Sequence, residues 1–131
     1  MPIDERSSAV AVALDHVGAW SNHDFDRARS GLSDDVRVTA TTTLPGMKDT
    51  DLVGIDDYMR GLREFAQAVV PGSLRVNASL GDERNALVMV SVEAALGPDG
   101  AKVTLPAARL YLLDEDRKIK AEQVVFFAVP D

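Results

Sequence analysis

The feature of this chain that most restricts its fold is a change in hydrophobic periodicity about halfway along it. Up to about residue 70, apolar residues recur at helical spacing, most clearly at Ile55, Met59 and Leu62. After Pro71 the chain reads as four strand-like runs. Groups rich in Gly, Pro and Asp separate these runs at residues 81–84, 97–100 and 114–117. Strands joined by such short turns are antiparallel, so the pattern predicts helices followed by an antiparallel sheet.

Capping and turn residues predict where the elements begin and end. Ser7 or Ser8 can cap the first helix and Asp24 the second, while Pro71 stops the third. The predicted helices span residues 8–20, 25–30 and 54–70. The predicted strands span residues 36–43, 73–80, 85–96, 101–113 and 118–129, and residues 47–53 are predicted to form a polar loop.

Length and charge narrow the classes of function. The 131 residues predict one domain, residues 1–131, that folds unaided. Twenty-one acidic against fourteen basic residues give a net charge of −7, which disfavours nucleic acid as a partner. An acidic amino terminus and short apolar stretches predict a cytoplasmic protein without a membrane span. The absence of cysteine excludes disulfides, thiolate zinc sites and cysteine nucleophiles.

Both faces of two predicted strands are apolar. One face carries Leu87, Met89, Leu110 and Leu112, and the other carries Val88, Val90 and Tyr111. Helices can cover only one of these faces, so the sequence predicts a homodimer through the outer sheet face. The alternative is that this face is mildly apolar surface open to water.

Local motifs spread over residues 8–129 carry a family resemblance. They are Trp-x-x-x-Asp-x-Asp from Trp20, Leu-Ser-Asp-Asp-Val-x-Val from Leu32, Gly-Ile-Asp-Asp-Tyr from Gly54 and Asp-x-x-x-Lys-Ile from Asp114. Together they resemble the nuclear transport factor 2-like superfamily, most closely its SnoaL-like and ketosteroid-isomerase-like members. The resemblance implies an α+β fold: three N-terminal helices packed on a strongly curved, mainly antiparallel sheet that forms a cone with an internal pocket.

The catalytic residues known in these relatives do not carry over. By the resemblance, His16 stands where the steroid isomerases have a tyrosine, Ala40 where they have the aspartate base, and Arg109 where they have a protonated aspartic acid. The aspartate of the polyketide cyclases falls on Val124. The Arg-Asp pair of the epoxide hydrolases has no counterpart among residues 87–93. The resemblance therefore implies a pocket but no particular mechanism.

If the strands have the same inward and outward alternation as in the family, several polar residues point into the pocket. We predict His16, Arg109 and Glu122 as catalytic residues. The histidine would act as acid or base, Glu122 would orient it or act as the base, and Arg109 would stabilise an enolate or carboxylate. The predicted ligand-binding residues are Trp20, Tyr58, Tyr111, Val124 and Phe126. The alternative is an internal Arg109–Glu122 ion pair with His16 as a hydrogen-bonded core residue.

These residues predict a pocket for a small hydrophobic, oxygenated metabolite, with isomerase, cyclase or lyase chemistry that needs no cofactor. The alternative is a non-catalytic ligand-binding or dimerisation module, which the missing carboxylate at Ala40 favours. His23, Asp24 and Asp26 have the residue types of a metal site. Helix capping accounts for these aspartates, so no metal is predicted.

Overall fold

Local signals set the helix boundaries in the computed structural model, which describes residues 8–42, 49–95 and 98–126. The helices are α1 (Ser8–Ser21), α2 (Phe25–Ser30) and α3 (Ile55–Ala66). Asp24 caps α2 as predicted, because its side chain accepts a hydrogen bond from the Arg27 N–H. Gly54 precedes α3 with φ 95°, a conformation that favours glycine. Its N–H donates to the Val36 carbonyl at 2.8 Å, which fixes the start of α3 beside the sheet.

The strands form one mixed sheet. They are β1 (Leu32–Thr42), β2 (Thr50–Val53), β3 (Arg75–Gly81), β4 (Asn85–Ala94), β5 (Val103–Leu113) and β6 (Ile119–Phe126). Their order across the sheet is β2-β1-β6-β5-β4-β3. Only the β1–β6 pair is parallel among the pairs in the described ranges, so the sheet is mainly antiparallel, as predicted. Register shifts in the β1–β6, β3–β4 and β5–β6 pairs mark irregularities of the kind that bend strands.

One face of the curved sheet packs on the helices and holds the core. Residues alternate along β5, where Ala107, Arg109 and Tyr111 are buried while Leu110 is 40% exposed. The side chains of β5 and β6 that were predicted to point inward are therefore the buried ones. In the part of the chain that the structure describes, no helix is long and apolar enough to cross a membrane.

At two places in the described residues, pairing with the sheet replaces the local pattern and the predicted boundary is wrong. Residues 50–53, predicted as part of a polar loop, form strand β2, which pairs antiparallel with β1 from Arg37↔Val53 to Ala40↔Thr50. Asp51 is the polar residue that made this segment resemble a loop. Its carboxylate accepts hydrogen bonds from the Arg37 guanidinium on the neighbouring strand. A strand at a sheet edge can carry such polar residues toward water.

The third helix ends four residues before the predicted end, at Ala66 rather than at residue 70. Val69 instead forms an antiparallel bridge with Ala94, and the Val70 N–H donates to the Glu93 carbonyl at 2.8 Å. Pairing with the sheet therefore draws this segment out of the helix. The first strand begins at Leu32 rather than at 36, whereas the predicted cap at Ser7 and the predicted strand residues 43, 96 and 127–129 lie outside the described residues.

Candidate functional site

A cavity of about 540 Å³ lies between α3 and the inner face of the sheet. Strands β1, β2, β5 and β6 form one wall, and α3 forms the other. The apolar part of the lining is Val38, Ala40, Leu52, Gly61, Leu62, Phe65, Val124 and Phe126. The volume is in the range of pockets that hold small organic molecules.

Three buried polar side chains meet at one place in this lining. We call Tyr58, Arg109 and Glu122 the polar corner; they are 2%, 5% and 3% exposed, respectively. Tyr58 donates a hydrogen bond to Glu122 Oε1 at 2.5 Å, and Arg109 donates through one terminal nitrogen to Glu122 Oε2 at 3.3 Å. Each carboxylate oxygen therefore has its own donor, which is the arrangement that a buried charge requires.

Arg109 is held over aromatic rings. Its guanidinium carbon lies 4.7 Å from the centre of the Trp20 ring and 5.7 Å from that of Phe126. Burial opposes the positive charge, but the neighbouring Tyr111 and Glu122 outweigh burial and raise the pKa of Arg109. Its Nε has no hydrogen-bond partner although it is buried. The polar corner therefore contains a fixed cation whose hydrogen-bonding capacity is only partly used.

His16 lies behind the polar corner, outside the cavity lining. It is 1% exposed; Nδ1 is 3.0 Å from the Ala28 carbonyl oxygen, and Nε2 is 3.0 Å from the Tyr58 hydroxyl. A carbonyl oxygen can only accept, so Nδ1 carries a proton. Burial, which outweighs the nearby Glu122 carboxylate, lowers the pKa of His16. The site thus contains a continuous chain from His16 through Tyr58 to Glu122.

The two tyrosines near Glu122 stay protonated. Burial, reinforced by the Glu122 charge, raises the pKa of both Tyr58 and Tyr111 well above the ordinary value. Tyr58 acts as a donor to Glu122, whereas the buried Tyr111 hydroxyl makes no hydrogen bond of good geometry. The Tyr111 ring packs edge-on against His16, with the ring centres 6.0 Å apart.

The structure places the sequence-predicted residues in two layers. The cavity lining contains five of them: Tyr58, Arg109, Glu122, Val124 and Phe126. A second layer, buried but absent from the lining, contains His16, Trp20 and Tyr111. The predicted ion pair alternative also matches the geometry, since Arg109 and Glu122 are paired. Whether any of these groups is catalytic stays a prediction.

Sequence reasoning missed part of the lining. Leu52 was not predicted as a lining residue because its strand was predicted as a loop. Phe65 was not predicted because its helical spacing indicated core packing. Gly61 lies where a Cβ atom would come within 2.8 Å of Leu52 Cδ1. A glycine inside an amphipathic helix was the available signal for that close approach.

The residues considered for a metal site have other partners. His23 is hydrogen-bonded through Nε2 to the Val69 carbonyl at 2.9 Å, and Asp24 caps α2. Within the described ranges, no three His, Asp or Glu side chains come together as a metal site would require.

Comparison with known proteins decides the family. A model of the SnoaL-like domain matches residues 13–122, most of the chain. The chain belongs to the SnoaL-like domain family. No curated protein matches the sequence significantly.

Solved structures share the fold of this SnoaL-like domain. A protein from Kribbella flavida DSM 17836 is 23% identical with a TM-score of 0.73, covering 91% of this chain and 86% of its own. An epoxide hydrolase of the LEH-like type from M. tuberculosis is 19% identical with a TM-score of 0.68, covering 91% and 82%. A protein described as a SnoaL-like polyketide cyclase, from Shewanella denitrificans OS-217, is 12% identical with a TM-score of 0.70, covering 90% and 89%. The fold thus occurs in proteins described as cyclases and epoxide hydrolases, and the likeness concerns the fold alone.

Proposed function

We propose that the cavity binds a small hydrophobic molecule that carries an oxygen atom, and that Glu122 transfers a proton to or from this molecule. The observation that supports the proposal is the distribution of polarity in the lining. The walls are mainly apolar, and the charged lining residues Asp57, Arg60 and Glu64 of α3 are exposed to water. The buried polar groups Tyr58, Arg109 and Glu122 converge at one corner. Such a pocket binds an apolar body and orients it through a single polar group.

The polar corner has the groups that acid–base chemistry at a carbon atom needs. A carboxylate such as Glu122 can remove a proton next to a carbonyl group. The negative charge that then develops on the carbonyl oxygen is stabilised by donors already in place, and Arg109 is the fixed cation of this corner. Isomerisation, cyclisation and elimination all use such a step, so an isomerase, cyclase or lyase reaction follows from the same three residues.

A binding protein without catalysis is the second candidate. Ala40, which lines the cavity, stands where the related steroid isomerases carry their aspartate base. Without that group, Glu122 is the only carboxylate in the polar corner, and it is already engaged by two donors. Both candidates require ligand binding, and they differ in whether a proton moves on the ligand.

Calorimetry with a matched pair of probes tests ligand binding. An acetylnaphthalene carries one carbonyl oxygen, and the ethylnaphthalene of the same shape carries none. We expect the ketone to bind about 10-fold to 140-fold more tightly, because a hydrogen bond to a charged group contributes about 1.5–3 kcal/mol. Arg109→Met should abolish this preference, whereas Arg37→Met, which removes an exposed arginine on β1, should preserve it. Equal affinity for the two probes in wild type would contradict the proposed role of the polar corner.

Trp20 locates the bound probe. It is the only tryptophan of the sequence and packs edge-on against Phe65 of the cavity lining at 5.7 Å between ring centres. A flat ligand in the cavity should therefore quench or shift Trp20 emission through Phe65 and Arg109. Binding by calorimetry with unchanged Trp20 emission would place the ligand elsewhere.

We also propose that the outer sheet face pairs with a second copy of the chain. Leu87, Met89 and Leu110 are 39%, 40% and 40% exposed, and Leu87 lies directly across from Leu110 in the β4–β5 register. Leu112, predicted for the same face, is half-buried. A contiguous apolar surface of this kind supports an interface in which both copies contribute the same strands.

A further inference from the structure

The hydrogen-bonded chain behind the polar corner has an unusual proton count. It runs from the Ala28 carbonyl through His16 and Tyr58 to Glu122, with separations of 3.0, 3.0 and 2.5 Å. His16, Tyr58 and Glu122 come from α1, α3 and β6, and all three are at most 3% exposed. Only Tyr58 and Glu122 line the cavity, so His16 communicates with the cavity through them.

Counting donors along this chain shows that it can hold one proton more than a neutral His16 and a Glu122 carboxylate carry. The Nδ1 proton of His16 is committed to the Ala28 carbonyl, which can only accept. Between Nε2 and Glu122 Oε1 there are two hydrogen bonds, but the Tyr58 hydroxyl supplies only one proton. Both bonds can form together only if a second proton is on Nε2 or on Oε1. With this second proton, the chain is either imidazolium with carboxylate, or neutral imidazole with carboxylic acid. Without it, His16 is neutral, Glu122 is a carboxylate that can accept a proton, and only one of the two hydrogen bonds is made.

From this count we propose that Tyr58 relays a proton between Glu122 at the cavity wall and His16 behind it. The catalytic consequence of the relay rests on the proposed function of Glu122. In the transfer, the Glu122 Oε1–H bond breaks as an O–H bond forms on Tyr58, while the original Tyr58 proton moves to His16 Nε2. Carboxylic acid and imidazole become carboxylate and imidazolium, so protons and charge balance. A proton that Glu122 takes from a ligand is thus passed on, and Glu122 becomes a base again.

The surroundings of His16 allow it to release the proton that it receives through Tyr58. The charged and titratable groups that face it are Asp15 on α1, Tyr58 on α3, Arg109 and Tyr111 on β5, and Glu122 on β6. Asp15 is already paired with Arg27 at the surface, which leaves Glu122 as the anion that the chain connects to His16. Burial lowers the pKa of His16, so the imidazolium is the less stable partner and returns its proton.

Heteronuclear NMR of the protein without ligand tests the relay. Imidazole ¹⁵N shifts report the protonation of His16, and the side-chain carboxyl ¹³C shift reports that of Glu122, assigned by its loss in Glu122→Gln. In wild type we expect one pH midpoint shared by both signals, since proton loss removes the donor between them. His23 provides the comparison for assigning the imidazole signals: its Nε2 faces the Val69 carbonyl, so it has the opposite tautomer to His16.

Tyr58→Phe removes the one oxygen that connects the two groups. We expect His16 and Glu122 to titrate independently in this variant. Separate midpoints in wild type, or a common midpoint that survives in Tyr58→Phe, would overturn the relay. The wild-type measurement requires no variant to fold, and none of these measurements uses a ligand. Their outcome is therefore independent of whether the acetylnaphthalene binds.

A kinetic readout separates proton storage from a structural role of His16. His16→Gln keeps a hydrogen-bonding side chain that does not titrate. We expect the pH profile of proton exchange on bound acetylnaphthalene to shift in His16→Gln while affinity for the ketone stays within about 2-fold of wild type. An unshifted profile would show that His16 only supports the packing and would contradict the relay.

Discussion

The buried Arg109–Glu122 pair should show a strong energetic coupling when each charge is removed. The two residues are 5% and 3% exposed, and their charged groups lie 3.3 Å apart. Breaking a buried pair costs about 3–5 kcal/mol, because the remaining charge is left without compensation. Glu122→Gln should lie near the lower end, since Arg109 keeps its contact with Trp20, and a desolvated cation–π contact contributes about 2 kcal/mol. Arg109→Met should lie near the upper end, because it also removes that contact.

The double variant shows whether the two charges stabilise the fold together or independently of each other. Replacing both charges leaves neither unpaired, so the double variant should be closer to wild type than the more damaging single variant, with a coupling energy of about 3 kcal/mol or more. Urea unfolding followed by circular dichroism gives these free energies without depending on Trp20, whose environment Arg109→Met alters. In thermal unfolding, losses of about 3–5 kcal/mol correspond to drops of roughly 10–20 °C for a chain of this size.

An exposed pair in the same sheet provides the control. Arg37 and Asp51 are 58% and 56% exposed, and their cycle should show a much smaller coupling because water screens both charges. The reasoning would be refuted if both buried single variants were as stable as wild type, or if the buried and exposed cycles gave the same coupling.

Two further predictions concern assembly and pH. The chain should be a homodimer in light scattering at micromolar concentration, and Leu110→Lys should convert it to a folded monomer because a charge would enter the apolar face; a wild-type monomer would remove the proposed interface. Stability should be full above about pH 6.5 and should fall as the pH drops below it, because the unfolded chain then binds a proton at His16 that the native protein, with its lowered pKa, does not bind. The slope attributable to His16 is at most about 1.4 kcal/mol per pH unit. Urea unfolding between about pH 7 and pH 5 should show a flatter profile in His16→Gln than in wild type; an unchanged profile in this variant would contradict the assignment.

The sequence predicted those elements whose signals are local. Asp24 and Gly31 bracket a short helix that lies where expected, since capping requires only neighbouring residues. The alternation around Arg109 and Tyr111 correctly predicted the buried side of β5, because hydrophobic burial fixes strand parity. The resemblance to the SnoaL-like family supplied the overall arrangement that these local signals do not contain.

Features that depend on distant partners were not predictable in this way. Strand β2 forms because β1 is beside it, and no periodicity marks the segment around Asp51 as a strand. The contact between His16 and Tyr58 joins residues 42 positions apart, and that between Tyr58 and Glu122 joins residues 64 apart. The sequence predicted His16 and Glu122 on the inside and Tyr58 as a ligand-binding residue, but only the structure shows that Tyr58 separates His16 from Glu122.

Deuterium exchange on a bound ketone tests the central claim most directly. In heavy water, the methyl hydrogens of acetylnaphthalene exchange only when a base removes a proton and returns a deuteron. We expect wild-type protein to accelerate this exchange, measured by NMR of the ketone, and Glu122→Gln to lose the acceleration while Arg37→Met retains it. Proton transfer by Glu122 would be contradicted if the exchange were no faster with bound wild-type protein than without protein. It would also be contradicted if the exchange were equally fast with wild type and with Glu122→Gln.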